Sequence, residues 1–162
     1  MKKLFMLMFI SASFMWAGGL KPVDNVLYQE ECGSCHFAFQ PGLLPSRSWE
    51  VMMGKLTDHF GVDASLDAPT MQTLLTYMQQ NASEKATGYK RSYKMNRSIG
   101  RYETPLKISE VAYFRDKHRA IRPAMVNQKE VRSISNCVAC HKDAAAGDFH
   151  DTFVPNYGVI DD

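Results

Sequence analysis

Hydrophobic positions along the chain recur at helical spacing in several separate windows. From Val26 to His36 the pattern allows a helix capped by Asp24 or Asn25, with Cys32 near its end. A turn-rich stretch follows, Phe39 to Ser46, carrying Pro41, Gly42 and Pro45. Ser48 can then cap a second helix in which Trp49, Met52, Met53, Leu56 and Phe60 repeat at helical spacing, with Gly61 as its stop. A third helix is expected from Asp67 and Pro69, with Met71, Leu74, Leu75 and Met78 on one face. Further on, Val111, Phe114, His118 and Ile121 share a helical face, and Pro123 is expected to end that helix. No alternation of the β type persists anywhere. The pattern predicts a mainly α fold, a small helical body with long irregular connections.

The first residues follow a different logic. Lys2 and Lys3 precede an apolar run, Leu4 to Met15, interrupted only by Ser11 and Ser13, and Ala17-Gly18 offers small residues for cleavage. Residues 1–17 therefore read as a signal peptide, and the chain as exported to the periplasm. An uncleaved anchor is the alternative, since Met15 is large for its place before the cleavage point. The run is shorter than the roughly 20 residues a spanning helix needs, so any membrane association is expected to be peripheral.

The chain has 162 residues, 45% hydrophobic and 22% charged, which excludes a large multidomain enzyme, a disordered tail and a membrane bundle. Charge divides it into two regions, 18–84 and 85–162, expected to form one compact unit. Residues 85–132 hold thirteen Lys and Arg against four Asp and Glu, a net +9, while 18–84 carry −5 and 133–162 carry −4. A run of this kind is either a solvated face or a surface that docks or compensates anions. Nothing in it points to nucleic acid.

Four cysteines leave the cytoplasm if the leader works as read, and exported thiols need a reason. Cys32-Gly33-Ser34-Cys35-His36 and Cys137-Val138-Ala139-Cys140-His141 both have the Cys-x-x-Cys-His form of c-type haem attachment. Two thiols on one helical turn can each add across a vinyl group of a haem, and the following imidazole reaches the iron from one side. A four-cysteine zinc ribbon would not call for His36 and His141, and a pair of disulfides would leave the repeated histidine unexplained. The expected cofactors are two covalent haems c, with Cys32, Cys35, Cys137 and Cys140 as thioether positions and His36 and His141 as proximal iron ligands.

Three histidines remain for the far side of the irons. His59 shares a face with Met52 and Leu56, and could otherwise be a dipole-favoured histidine at a helix end. His118 lies on the stripe of Val111, Phe114 and Ile121, where an imidazole needs a partner and a ligand role competes with a core one. His150, between Asp148 and Asp151, reads as a solvated loop residue. Met52, Met53, Met71 and Met78 read as core filler. Bis-histidine ligation through His59 and His118 is the expectation. It would place both potentials below those of His/Met centres and leave no open iron position.

From about Tyr28 to Pro155 the sequence resembles the small periplasmic dihaem cytochrome c family. The matching words are Glu31-Cys32-Gly33-Ser34-Cys35-His36, Pro41-Gly42-Leu43-Leu44-Pro45 with Ser48-Trp49, His59-Phe60-Gly61, Phe114 with His118, and Asn136-Cys137 through Gly147-Asp148-Phe149. The resemblance implies bis-histidine haems with His59 and His118 as the distal pair. It also implies a shuttle role toward a membrane cytochrome b or a small oxygen-binding cytochrome. One departure stands out: the family's distal segment places a Pro before its aromatic pair, whereas Ile108 to Phe114 has none and Pro105 comes earlier.

Three functions compete on these residues. The first is one-electron transfer between a quinol-oxidising membrane complex, or membrane cytochrome, and a small soluble haem protein. The second is a haem enzyme, peroxidase-like or gas-binding, with one open iron. The third is a small subunit feeding electrons into a periplasmic reductase, although the two motifs lie 105 positions apart, wider than such subunits place them.

Overall fold

The computed structural model describes residues 19–150 and 152–160, so the leader expected over 1–17 lies outside the described residues. Among the described residues there are six α-helices: α1 (Val26–Gly33), α2 (Ser46–Met53), α3 (Ala68–Gln80), α4 (Lys90–Arg97), α5 (Ala112–Lys117) and α6 (Pro123–Val126). Short 3₁₀ turns and irregular segments connect them. The chain closes on a two-residue antiparallel hairpin, β1 (Phe153–Val154) with β2 (Gly158–Val159), too short to leave an alternating signature. No described helix is long and apolar enough to cross a membrane.

Two helices start where their caps dictate. The Asn25 side chain accepts from the Tyr28 N–H at 2.9 Å, and Asp67 accepts from the Thr70 N–H at 3.0 Å with Pro69 in the first turn of α3. The other two expectations need correction. α2 starts at Ser46, whose N–H donates to Glu84 at 3.0 Å, and Ser48 is buried inside the helix rather than capping it. It stops at Met53, with Gly54 as its end, seven residues before Gly61. The chain then turns back through a 3₁₀ turn, Leu56–Asp58, and the Ala64 N–H donates to the Leu56 carbonyl at 2.8 Å. The helix ends at Gly54, whose N–H still donates to the Glu50 carbonyl at 3.0 Å, inside what remains a helix-like hydrophobic spacing.

The stripe from Val111 to Ile121 is likewise broken. α5 ends at Lys117, and the Ile121 N–H donates to the His118 carbonyl at 3.0 Å in a separate turn. Pro123 opens α6 instead of ending a helix; a residue without an N–H and with φ already fixed suits a first turn.

One hydrophobic cluster draws on both charge regions: Leu20, Tyr28, Leu44, Trp49, Leu74 and Met78 from the first, Met95, Ile99, Ile108 and Val111 from the second. α3 packs on α2. The Trp49 indole N–H donates to the carbonyls of Pro41 and Leu44 at 2.9 and 3.1 Å, locking the turn that leads into α2. Ties between distant segments are polar and buried. Gln40 Nε2 donates to the Ala144 carbonyl at 2.6 Å, and the Leu20 N–H donates to the Gly147 carbonyl at 2.8 Å. α4 lies so close to the Pro41–Leu43 turn that a Cβ on Gly42 would strike the Ser92 hydroxyl.

Candidate functional site

The first Cys-x-x-Cys-His element straddles the end of α1. Cys32 sits in the last turn, half-buried against the core cluster, while Cys35 and His36 emerge to solvent. His36 Nδ1 lies 2.8 Å from the Phe37 carbonyl, which can only accept, so the proton sits on Nδ1 and the basic nitrogen is Nε2. Opposite stands His59, its ring centroid 6.0 Å from that of His36 and its plane 24° away. A tight turn holds it there: the His59 N–H donates to Val62 O at 2.8 Å, and Phe60 and Gly61 follow with φ of +55° and +92°. Burial first, and the neighbouring His36 second, push the His59 imidazole below its ordinary pKa, toward the neutral form that can donate to a metal.

The second element opens with a 3₁₀ turn, Cys137–Ala139, and the His141 N–H donates to the Cys137 carbonyl at 2.8 Å. Cys137, Cys140 and His141 line a cavity, partly open to solvent, that His118 also lines. The His118 and His141 ring centroids are 6.2 Å apart, with planes at 86°. His118 caps α5 at its C-terminal end; its Nδ1 is 2.8 Å from the Phe114 carbonyl, and the Phe114 ring stacks on it at 3.9 Å. Phe149 meets His141 edge-on at 5.4 Å. Met95, Ile108, Ile121 and Val131 make the remaining wall largely apolar.

Two in-line imidazole–metal bonds of about 2.0–2.1 Å, with about 1 Å more on each side to the ring centre, span about 6 Å. Both histidine pairs have that separation, each beside its own pair of cysteines, and the second also lines a concave, largely apolar cavity of the kind that takes cofactors. The residues fit a haem at each place.

The thiols are not primed for other chemistry. Burial pushes Cys32 and Cys137 up to about 11, and raises Cys140 as well, so all three stay protonated at neutral pH and lack the thiolate character of an exchange nucleophile. Among the described residues no three His, Cys, Asp or Glu side chains converge on a common metal-sized point. His150 is exposed and pairs with Asp148, Nδ1 to Oδ1 at 2.7 Å.

The basic segment divides in a way its composition did not suggest. Of its thirteen Lys and Arg, eleven are exposed and two, Arg91 and Lys117, are half-buried and line the second cavity. The signal for Arg91 is its place four residues before buried Met95, on the inward face of α4.

A largely helical chain with two such histidine frames, each beside a cysteine pair, defines a two-centre c-type haem protein. A family model described as dihaem cytochrome c matches residues 28–149, and the chain belongs to that family. It carries two covalently bound haems c, and its family is one of electron carriers. The chain is 39% identical to a diheme cytochrome c from Rhodobacter sphaeroides, covering 78% of this chain and 98% of that one with a TM-score of 0.70. A new diheme cytochrome type c from Shewanella baltica OS155 is 34% identical, with 85% and 98% covered and a TM-score of 0.68. No curated protein matches the chain.

Proposed function

We propose that the protein is a periplasmic one-electron shuttle between a membrane cytochrome or quinol-oxidising complex and a soluble haem protein. In this reading Cys32 and Cys35 anchor the first haem between His36 and His59, and Cys137 and Cys140 anchor the second between His141 and His118. When bound, haem c supplies the Fe(III)/Fe(II) couple. The chain's own residues do the rest. The backbone carbonyls of Phe37 and Phe114 hold His36 and His118 by their Nδ1 protons and so aim Nε2. Phe114 and Phe149 give the second site apolar walls, and eleven exposed cations between 85 and 132 offer a face for an acidic partner.

The observation that carries this reading is the pair of histidine spans, 6.0 and 6.2 Å, one beside each motif. Irons closed on both sides exchange electrons without binding substrate, which favours a carrier over an enzyme. The test is spectroscopic: oxidised and reduced protein should show two low-spin haems, no methionine-ligand band, and no carbon monoxide adduct. A high-spin haem at rest, or one that takes up carbon monoxide, would move the function to a gas-binding or peroxidase-like protein.

A further inference from the structure

The second cavity is lined by a cation, Arg91, whose Nε has no hydrogen-bond partner among the described residues. Arg91 lies in the first turn of α4, turned inward, and its guanidinium stands 5.8 Å above the Phe149 ring, which in turn abuts His141. Its Nε is buried and has no hydrogen-bond partner among the described residues. A buried guanidinium N–H without an acceptor loses its hydration for no return. The nearby carboxylate is Asp148, but that group already accepts from the His150 N–H at 2.9 Å and faces His150 Nδ1 at 2.7 Å. Arg91 is only the weakest of the influences that hold Asp148 below its ordinary pKa. The Nε–H is left wanting an acceptor, and the cavity that Arg91 lines is a side from which one can enter.

Resting on the assignment of the second haem to His118 and His141, we propose that Arg91 binds a propionate of that haem and acts as its half-buried counter-charge. A guanidinium remains charged at any physiological pH and presents two parallel N–H donors to a planar carboxylate, so it can fix the propionate's orientation as well as its charge. The Phe149 ring lies within cation–π range of the guanidinium, 5.8 Å from its centroid. Lys94, one turn further along α4, is exposed over Tyr113 and serves as the matched control: same helix, same charge, outside the cavity.

The experiment is potentiometry of the full-length holoprotein and its variants Arg91→Met, Arg91→Lys and Lys94→Met, each first checked for two covalent, low-spin haems. Removing a half-buried positive charge that lines the haem cavity disfavours the electron-rich state, so Arg91→Met should shift the Fe(III)/Fe(II) ratio of one haem toward Fe(III) by about tenfold at fixed poise, or 59 mV for a one-electron couple. The other haem should move less than twofold, as should both haems in Lys94→Met. Arg91→Lys keeps the charge and loses the fork, and a shift of about two- to fivefold is expected; it carries the test alone if Arg91→Met does not accumulate. A shift under twofold from both Arg91 variants, or an equal shift from Lys94→Met, overturns the assignment. Failure of the underlying ligand reading would look different, because His118→Ala would then leave both haems low-spin, whatever the Arg91 variants do.

Discussion

Replacing His118 with Ala tests the site assignment most directly. The imidazole is held by three things: the proposed bond to iron, the Nδ1 contact with the Phe114 carbonyl at 2.8 Å, and the stack on Phe114 at 3.9 Å. The hydrogen bond contributes about 0.5–1.5 kcal/mol and the stack about 0.5–1.5 kcal/mol. Their loss destabilises the fold by about 1–3 kcal/mol, apart from the iron bond. The 6.2 Å frame with His141 becomes a half-open site walled by Phe114 and Ile121. One haem of two should pass from low to high spin, and carbon monoxide uptake should rise from none to one per chain. The thioethers should stay intact. His59→Ala should do the same at the other haem at a smaller cost in stability, since half-buried His59 meets Phe60 edge-on at 4.8 Å, whereas His118 stacks on Phe114 at 3.9 Å. Absorption and electron paramagnetic resonance read the spin states, and a denaturant midpoint reads the stability. Two low-spin haems surviving in His118→Ala would refute the assignment, and their loss in His150→Ala would point to the histidine that replaces it.

Cys32→Ala and Cys137→Ala should each leave one stable covalent haem and lower the yield, because each haem completes its own part of a small core; mass spectrometry showing two covalent haems in either variant would contradict the role of that cysteine. Electron exchange with an acidic partner should slow as salt rises and as Lys90, Lys94 and Arg97, exposed on α4, are reversed to Glu. A rate flat between about 20 and 300 mM salt, a range that shortens the screening length severalfold, would mark the basic segment as a plain solvated face. Gly147→Ala should cost about 2–3 kcal/mol: Gly147 has φ of +79°, and its added Cβ would meet the Leu20 carbonyl and break the bond from the Leu20 N–H to Gly147. A fall in unfolding free energy below about 1 kcal/mol would show that the two segments can separate without loss.

What could be read from the sequence was what local physics decides. Asn25 and Asp67 cap their helices within a few residues, and their side chains announce it. Hydrophobic spacing misled where a break hides inside a regular stripe. Met52 and Leu56 are four apart, yet Gly54 ends α2 between them, and His118 and Ile121 fall in a turn rather than on a helix. His59 and His118 nonetheless face His36 and His141, reached by turns instead of helix faces. That pairing joins segments 23 residues apart in both cases, and no periodicity encodes it. Arg91 was invisible for a related reason: within a run of like charges, only the burial of Ser92 and Met95 shows which way α4 is turned.

The two sites share ligand types but not surroundings, and this leads to an ordering of potentials. If both irons carry two histidines, axial chemistry cancels in the difference, leaving solvent access and nearby charge to decide it. At the first site Cys35 and His36 are exposed, and the adjoining Phe60 and Val62 are 54% and 61% exposed. At the second, Cys137, Cys140 and His141 are half-buried around an apolar cavity that also receives Arg91 and Lys117. Burial disfavours the more highly charged ferric centre, and an inward cation disfavours it further; both effects favour Fe(II) at the second site. The second haem should therefore have the higher potential, and an electron entering at the exposed first site should settle there. Stepwise reductive titration would resolve the two haems, and the high-spin haem created by His59→Ala or His118→Ala would identify each. Coincident potentials, or a first haem that reduces before the second, would show that haem exposure in the holoprotein differs from what its ligand residues suggest.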